Sequence, residues 1–250
     1  MKEKKAIILS ITSEIGLAIA MELLKKKFSV IGTYNKKTKK LNRLKEKGVI
    51  LYKLNLSDKI KIDQVGKKIL TRSRNWNYFI SAAGTLDPID SIVKSDSNKW
   101  EKSIYINCLG QIRFLKNLLI KNKKRKKILL FAGSGTNNAT KNYSAYTLSK
   151  ILLIKFVELL DFEEKLITVG ILGPGYIETK LHKKNKINKK QLNKKINTVV
   201  KFVNWFFSKS KNIVSGRNFS LINDSWRSKK IDILLKKNKE IYKLRRFGNK

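Results

Sequence analysis

Short, uninterrupted apolar runs recur along this chain, and between them apolar residues fall three and four apart. Ala6-Ile7-Ile8-Leu9 is the first run. Four consecutive apolar residues bounded by polar ones fit a strand buried on both faces, because a strand with one wet face would alternate. Further runs at 28–34, 49–54, 78–81, 128–131, 166–172 and 218–222 read as strands. The segments 15–24, 37–47, 59–72, 99–121 and 144–164 show helical spacing, and 189–207 reads as one or two helices. Strands alternating with helices of this length call for a parallel sheet with helices on both faces. The expected fold class is therefore α/β: a doubly wound parallel sheet, three layers α/β/α, in one domain over 1–250. Within it, 181–210 reads as a substrate-lid insertion and 227–250 as a C-terminal tail.

Composition narrows the function. The single cysteine, Cys108, leaves no internal disulfide or cysteine-based metal cluster, and His182 is the only histidine. No metal site is expected. Lys and Arg number 57 against 18 Asp and Glu, a formal net charge of +39. Only nine of the 57 are arginines, the side chain suited to bidentate base and phosphate contacts. With asparagine and isoleucine also abundant, the charge reads as compositional drift, and nucleic acid ranks below a small anionic molecule as partner. The field still steers anions toward the protein. The charged residues 1–5 run straight into the short apolar run 6–9, and no stretch reaches the ~18 apolar residues of a membrane span. The expectation is a cytoplasmic protein with no membrane association.

In open doubly wound sheets, ligands lie outside the carboxyl ends of the strands. That rule singles out residues 10–16, 33–37, 81–86, 132–146 and 173–179. The first, Ser10-Ile11-Thr12-Ser13-Glu14-Ile15-Gly16, joins a strand to a helix whose N-terminus can receive a pyrophosphate. Ser10, Thr12, Ser13, Ile15 and Gly16 are its candidates, although an ordinary capped strand–helix turn has the same form. The second strand ends in Thr33-Tyr34-Asn35-Lys36-Lys37, with no acidic residue to hold ribose hydroxyls. Asn35 and Lys36, with Lys37 beside them, suit a 2′-phosphate, which favours NADP and leaves NAD as the alternative. Ala82, Ala83 and Gly84 are small enough to let a ribose lie against the backbone. Pro174 and Gly175 force a turn. Beyond it, Ile177 and Thr179 could close over the nicotinamide end of such a cofactor.

Tyr146 and Lys150 carry the chemistry. At spacing i, i+4 both face one way on a helix. An ammonium nearby favours the phenolate and lowers a tyrosine pKa. Such a tyrosine can pass a proton to a carbonyl oxygen as hydride arrives, and Lys150 can hold ribose hydroxyls. Upstream, Ala132-Gly133-Ser134-Gly135-Thr136 offers Ser134 as a hydroxyl to polarise the carbonyl. Asn107 is polar where its helix should be apolar. It either holds a water in a proton relay behind the lysine or satisfies its own helix backbone.

Taken in order, these residues resemble those of the short-chain dehydrogenase/reductase family, from Ala6 to Trp226. The resemblance implies a Rossmann-like fold and an NAD(P)-dependent oxidoreductase acting on a carbonyl–alcohol pair. It implies Tyr146 as acid/base, Lys150 as ribose holder and Asn107 as relay residue. Asn55 and Leu56 would stand near the adenine, Asn55 in place of a commonly acidic residue. The family's spacing puts the polarising serine at Gly133, one residue before Ser134, or at Ala132 if the loop has an insertion. Ser10 and Glu14 replace the first two glycines of its cofactor turn. Asn142-Tyr143-Ser144-Ala145-Tyr146, Ile213-Val214-Ser215-Gly216-Arg217, Asn223-Asp224-Ser225-Trp226 and the tail from Ile241 to Arg246 resemble a bacterial subgroup associated with surface-polysaccharide or nucleotide-sugar biosynthesis. That implies a sugar-derived, anionic substrate. A 3-oxoacyl-[acyl-carrier-protein] reductase is the alternative, and a non-catalytic cofactor- or nucleic-acid-binding protein a further one. The family also implies a homodimer or homotetramer joined through the helices at 99–121 and 144–164.

Overall fold

Alternation along the first strand divides the protein into two cores. In the computed structural model, which describes residues 3–133, 136, 138–177 and 196–245, β1 is Lys5–Leu9. Its Ala6 and Ile8 point into one core, Ile7 and Leu9 into the other. All four are 0–1% exposed, so the strand is covered on both faces, as a continuous apolar run demands. The other strands are β2 (Ser29–Tyr34), β3 (Ile50–Lys53), β4 (Tyr78–Ser81), β5 (Lys126–Phe131), β6 (Ile167–Gly173) and β7 (Arg217–Ser220). They form a seven-stranded sheet in the order β3-β2-β1-β4-β5-β6-β7, with every pairing parallel. The order reverses at β1, which lies between β2 and β4. A crevice therefore opens at the carboxyl ends of β1 and β4.

One face is covered by α1 (Glu14–Lys25) and α7 (Ile196–Ser208), the latter through Phe202, Phe206 and Phe207. The other is covered by α3 (Lys59–Arg72), α5 (Gly110–Leu119) and α6 (Ser144–Glu163). Short α2 (Lys40–Glu46) lies between β2 and β3. Helix starts are chemically marked: Ser13 accepts from the Gly16 amide at α1, Asp58 from Lys61 at α3, and Asp96 from Lys99 at α4 (Ser97–Ile104).

Two segments differ from their expected form. The single helix expected over 99–121 is α4, a π-helical turn at Tyr105–Leu109, and then α5. The Gly110 amide bonds the Tyr105 carbonyl, five residues back. Buried Asn107 and Gln111 sit at that turn, and the Gln111 side chain donates to the Ile106 and Asn107 carbonyls there. The tail is also more built than its polar composition suggests. It contains α9 (Ile231–Lys237), while the short α8 (Lys211–Val214) precedes β7 upstream of it. The buried Arg217 guanidinium donates to the carbonyls of Leu235, Asn238 and Ile241 and so anchors the chain beyond α9. Of the segment read as a lid, 196–208 is α7, packed into the core; the part at 181–195 lies outside the described residues.

Candidate active site

The turn after β1 keeps the shape of a glycine turn without its first glycine. Ser10 stands at φ 63°, the left-handed region, which costs a non-glycine residue about 1 kcal/mol. The β2 end holds it there: Ser10 N–H donates to Thr33 Oγ1 at 3.1 Å and Ile11 N–H to the Thr33 carbonyl at 2.9 Å. Gly16 is sterically fixed, since a Cβ there would meet the Ser10 carbonyl oxygen at 2.5 Å and Ser13 Oγ at 2.9 Å. The turn borders a cleft of about 540 Å³ lined by Ser10, Thr12, Ser13, Asn35, Lys36 and Lys39 among others. Lys40 also lines it, but is engaged with Glu14 at 3.4 Å and the Thr12 carbonyl at 3.0 Å. Sequence reading passed over Lys39 and Lys40, which nothing distinguishes from neighbouring lysines before α2 is placed. Ile15 turns away from this cleft and packs against the apolar core. Exposed Asn55 accepts from both the amide and the hydroxyl of Ser57, and Leu56 is buried behind it.

The end of β4 meets the π-helical turn. Asn107 is fully buried, and its carboxamide pairs both ways with the Thr85 backbone: Thr85 N–H donates to Oδ1 at 2.8 Å, and Nδ2 donates to the Thr85 carbonyl at 2.9 Å. Its side chain thus serves the loop after β4 and not its own helix backbone, the alternative weighed against a proton relay. Ala82 and Ala83 lead to Gly84, where a Cβ would lie 3.6 Å from Asn107 Oδ1 and 3.9 Å from Lys150 Nζ. The structure therefore brings Gly84, Asn107 and Lys150 to one point.

Tyr146 and Lys150 occupy the first two turns of α6. Lys150 is 2% exposed, and its ammonium donates to the Phe131 carbonyl, where β5 ends, at 2.9 Å. It stands 5.5 Å from the centre of the Tyr146 ring. Burial pulls its pKa down to about 8, opposed by the Cys108 thiol. Tyr146 is half-buried. Its pKa moves the opposite way to the sequence expectation: desolvation, with the neighbouring Tyr176 phenol adding to it, raises it above the ordinary value. The cost of burying a phenolate outweighs the pull of the ammonium 5.5 Å from the ring centre.

Gly133 faces this phenol, and a Cβ there would lie 2.7 Å from the Tyr146 oxygen. The position to which family spacing assigns the serine thus has no room for a side chain. Ser134 lies outside the described residues, as does Thr179. Thr136 Oγ1 is turned back to donate to the Gly133 carbonyl at 3.1 Å. Gly175, following Pro174, takes φ 70° against Ile222, and Ile177 is 2% exposed. Among the described residues no helix is long and apolar enough to cross a membrane.

A family model described as Enoyl-(Acyl carrier protein) reductase matches residues 11–216. The 3-oxoacyl-[acyl-carrier-protein] reductase FabG of Buchnera aphidicola subsp. Schizaphis graminum is 32% identical over 193 residues, covering 73% of this chain and 77% of the relative. The chain belongs to the short-chain dehydrogenase/reductase family. It is an NAD(P)-dependent oxidoreductase of that family. Solved structures share the fold. A short-chain dehydrogenase/reductase from Mycobacterium ulcerans has a TM-score of 0.78 at 15% identity and covers 88% of each chain. ElxO, solved with NADP bound, has a TM-score of 0.77 at 18% identity, covering 88% of this chain and 97% of that one.

In this short-chain dehydrogenase/reductase, a dinucleotide fits the residues present. The cleft is open beside a helix N-terminus, and Gly16 leaves the backbone bare where a Cβ would collide. Sequence reading missed Gln111, 2% exposed, whose carboxamide bonds both the β4 end and the π-helical turn. Its only signal was a second polar residue four positions after Asn107 in an otherwise apolar stripe.

Proposed function

We propose that the protein is a cytoplasmic, NADP-dependent carbonyl reductase in which the Tyr146 phenol delivers the proton. The observation that carries this reading is the geometry of the pair: at the carboxyl edge of the sheet, Lys150 Nζ lies 5.5 Å from the centre of the Tyr146 ring and beside Gly84. Desolvation favours the Tyr146 phenol, the form that reduction consumes, and its ring packs against the bare backbone of Gly133. As negative charge develops on a carbonyl oxygen brought within hydrogen-bond reach of Tyr146, the phenol donates to it and gives up its proton. Lys150, one helical turn away, then holds the resulting phenolate. The bound cofactor supplies the hydride. Ser10, Thr12, Ser13 and Gly16 would receive its pyrophosphate, Lys36 and Lys39 a 2′-phosphate, and Asn55 and Leu56 would border the adenine. Ala82, Ala83, Gly84 and Lys150 would hold the nicotinamide ribose, and Pro174, Gly175, Ile177 and Thr179 the nicotinamide. The NADP bound by ElxO supports that choice of cofactor. Asn107 is read as the residue that fixes the loop against Lys150, and Ser134 as a carbonyl-polarising hydroxyl.

A sugar-derived, anionic ketone is the substrate reading drawn from the motifs of the polysaccharide-associated subgroup and the basic surface. A 3-oxoacyl thioester is the second, favoured by similarity to the Buchnera FabG. NADPH oxidation against nucleotide-linked ketosugars and 3-oxoacyl thioesters tests both. Turnover of one class selects it, and no turnover of either, with NADPH demonstrably bound, overturns the reductase reading. Self-association as a dimer or tetramer belongs to the same proposal. Leu148, Leu152, Leu159 and Phe162 leave an apolar stripe 44–87% exposed along α6. Sedimentation should give a species of at least two chains that Leu152→Glu dissociates.

A further inference from the structure

The Gln111 carboxamide is buried and fully engaged. Its Oε1 accepts from Ser81 Oγ at 2.6 Å. Its Nε2 faces three carbonyls: Asn107 at 2.8 Å, Ile106 at 3.2 Å and Ala83 at 3.3 Å. Two amide hydrogens shared among three acceptors, with the oxygen also paired, permit one orientation of the group. Its partners belong to two separate parts of the chain. Ser81 ends β4 and Ala83 lies in the loop after it, whereas Ile106 and Asn107 lie in the π-helical turn. The turn opens the helix wall, and Gln111 fills the opening with side-chain donors in place of the backbone ladder.

What Gln111 holds on one side touches the reacting groups on the other. Asn107 is gripped through its carbonyl by Gln111 and through its carboxamide by the Thr85 backbone. Gly84, between Ala83 and Thr85, faces both Asn107 Oδ1 and Lys150 Nζ. We infer that Gln111 is a positioning residue for hydride transfer, setting the 82–85 loop and Asn107 and, through them, the place at which the Lys150 ammonium meets Tyr146. The inference rests on the proposed role of Tyr146 and Lys150. Gln111 itself touches neither side chain.

Gln111→Met keeps the length of the side chain and removes its hydrogen bonds. Three readouts apply to the full-length folded variant: kcat, the basic limb of the kcat/KM–pH profile, and exchange of the Thr85 amide hydrogen by NMR. The titratable groups that bear on Lys150 in that profile are Cys108 and Tyr146. The expected result is a kcat lower by about tenfold or more, as misplacement of a reacting group by a fraction of an ångström produces. The basic limb should move, and Thr85 exchange should accelerate by about tenfold. A folded variant with a lower melting temperature but unchanged kcat, pH limb and Thr85 exchange overturns the inference. If Gln111→Met does not fold, Ser81→Ala removes only the donor to Oε1. A several-fold loss of kcat with faster Thr85 exchange then supports the positioning role, and unchanged values overturn it. Full turnover in Tyr146→Phe would count against the reading of the site, whereas unaltered turnover confined to the Gln111 and Ser81 variants counts against this inference alone.

Discussion

Strand β5 begins and ends on a buried lysine. At its amino end, Lys126 donates to the carbonyls of Arg74 and Trp76 and lies 4.6 Å from the centre of the Trp76 ring. At its carboxyl end, the Phe131 carbonyl receives Lys150, which lies over Tyr146. Both lysines are 2% exposed, and burial pulls both pKa values down to about 8. A depressed ammonium over an aromatic ring therefore does not mark a reactive centre by itself. The edge of the sheet decides. At the amino edge the ammonium meets backbone and an indole and has nothing to protonate. At the carboxyl edge it meets a phenol, the bare backbone of Gly84 and the strand-order reversal where a ligand can enter.

The most direct way to break this comparison is to truncate each lysine. Lys150→Met should lower the reduction rate by about 100-fold or more, the scale of lost acid–base assistance. Lys126→Met should leave the rate within about twofold while costing about 1–3 kcal/mol of stability, because it strands two carbonyls. Urea titration with parallel NADPH-oxidation assays separates the two outcomes, and equal loss of activity in both variants would erase the distinction.

pH sharpens it next. Lys150 loses its proton as pH rises through about 8, so kcat/KM should fall about tenfold per pH unit above that point, while Tyr146 stays a phenol. Stability should move the other way. Both lysines titrate lower in the folded protein than their ordinary 10.5, so between pH 8 and 10.5 the unfolded chain binds more protons. Unfolding free energy therefore rises with pH in that window, and the full cost of the buried charges is present below pH 8. Paired activity and urea-midpoint profiles check both slopes.

Smaller effects test the carboxyl edge itself. Gly133→Ser should cost about tenfold in rate, although it supplies the hydroxyl that family spacing assigns there, because its Cβ crowds the Tyr146 ring. Steady-state assays with circular dichroism separate this from misfolding. Smallest is Ser10→Gly. The turn already has glycine's conformation, so NADPH affinity should stay within about threefold and stability rise by about 1 kcal/mol or less. Fluorescence titration and thermal melts measure both.

The sheet, its two covered faces and the pairing of Tyr146 with Lys150 were legible in the sequence, because continuous apolar runs and an i, i+4 spacing express directly which surfaces are buried and which side chains align. The π-helical turn was not, since the contacts that go with it are lateral: Gln111 pairs with Ser81, 30 residues away. The sign of the Tyr146 pKa shift was missed for a related reason. Spacing places an ammonium near the phenol, but only the fold reveals that the Phe131 carbonyl takes that ammonium and that the phenol is desolvated. Ser10 shows the converse, a residue whose identity argues against a tight turn and whose neighbours, Thr33 above all, impose one.

Single-turnover NADPH oxidation by Tyr146→Phe tests the central claim most directly, since the change deletes one oxygen and leaves the ring in place. The account predicts a loss of about 100-fold or more in hydride transfer with NADPH affinity unchanged within about threefold. Hydride transfer at the unmodified rate in Tyr146→Phe would contradict it.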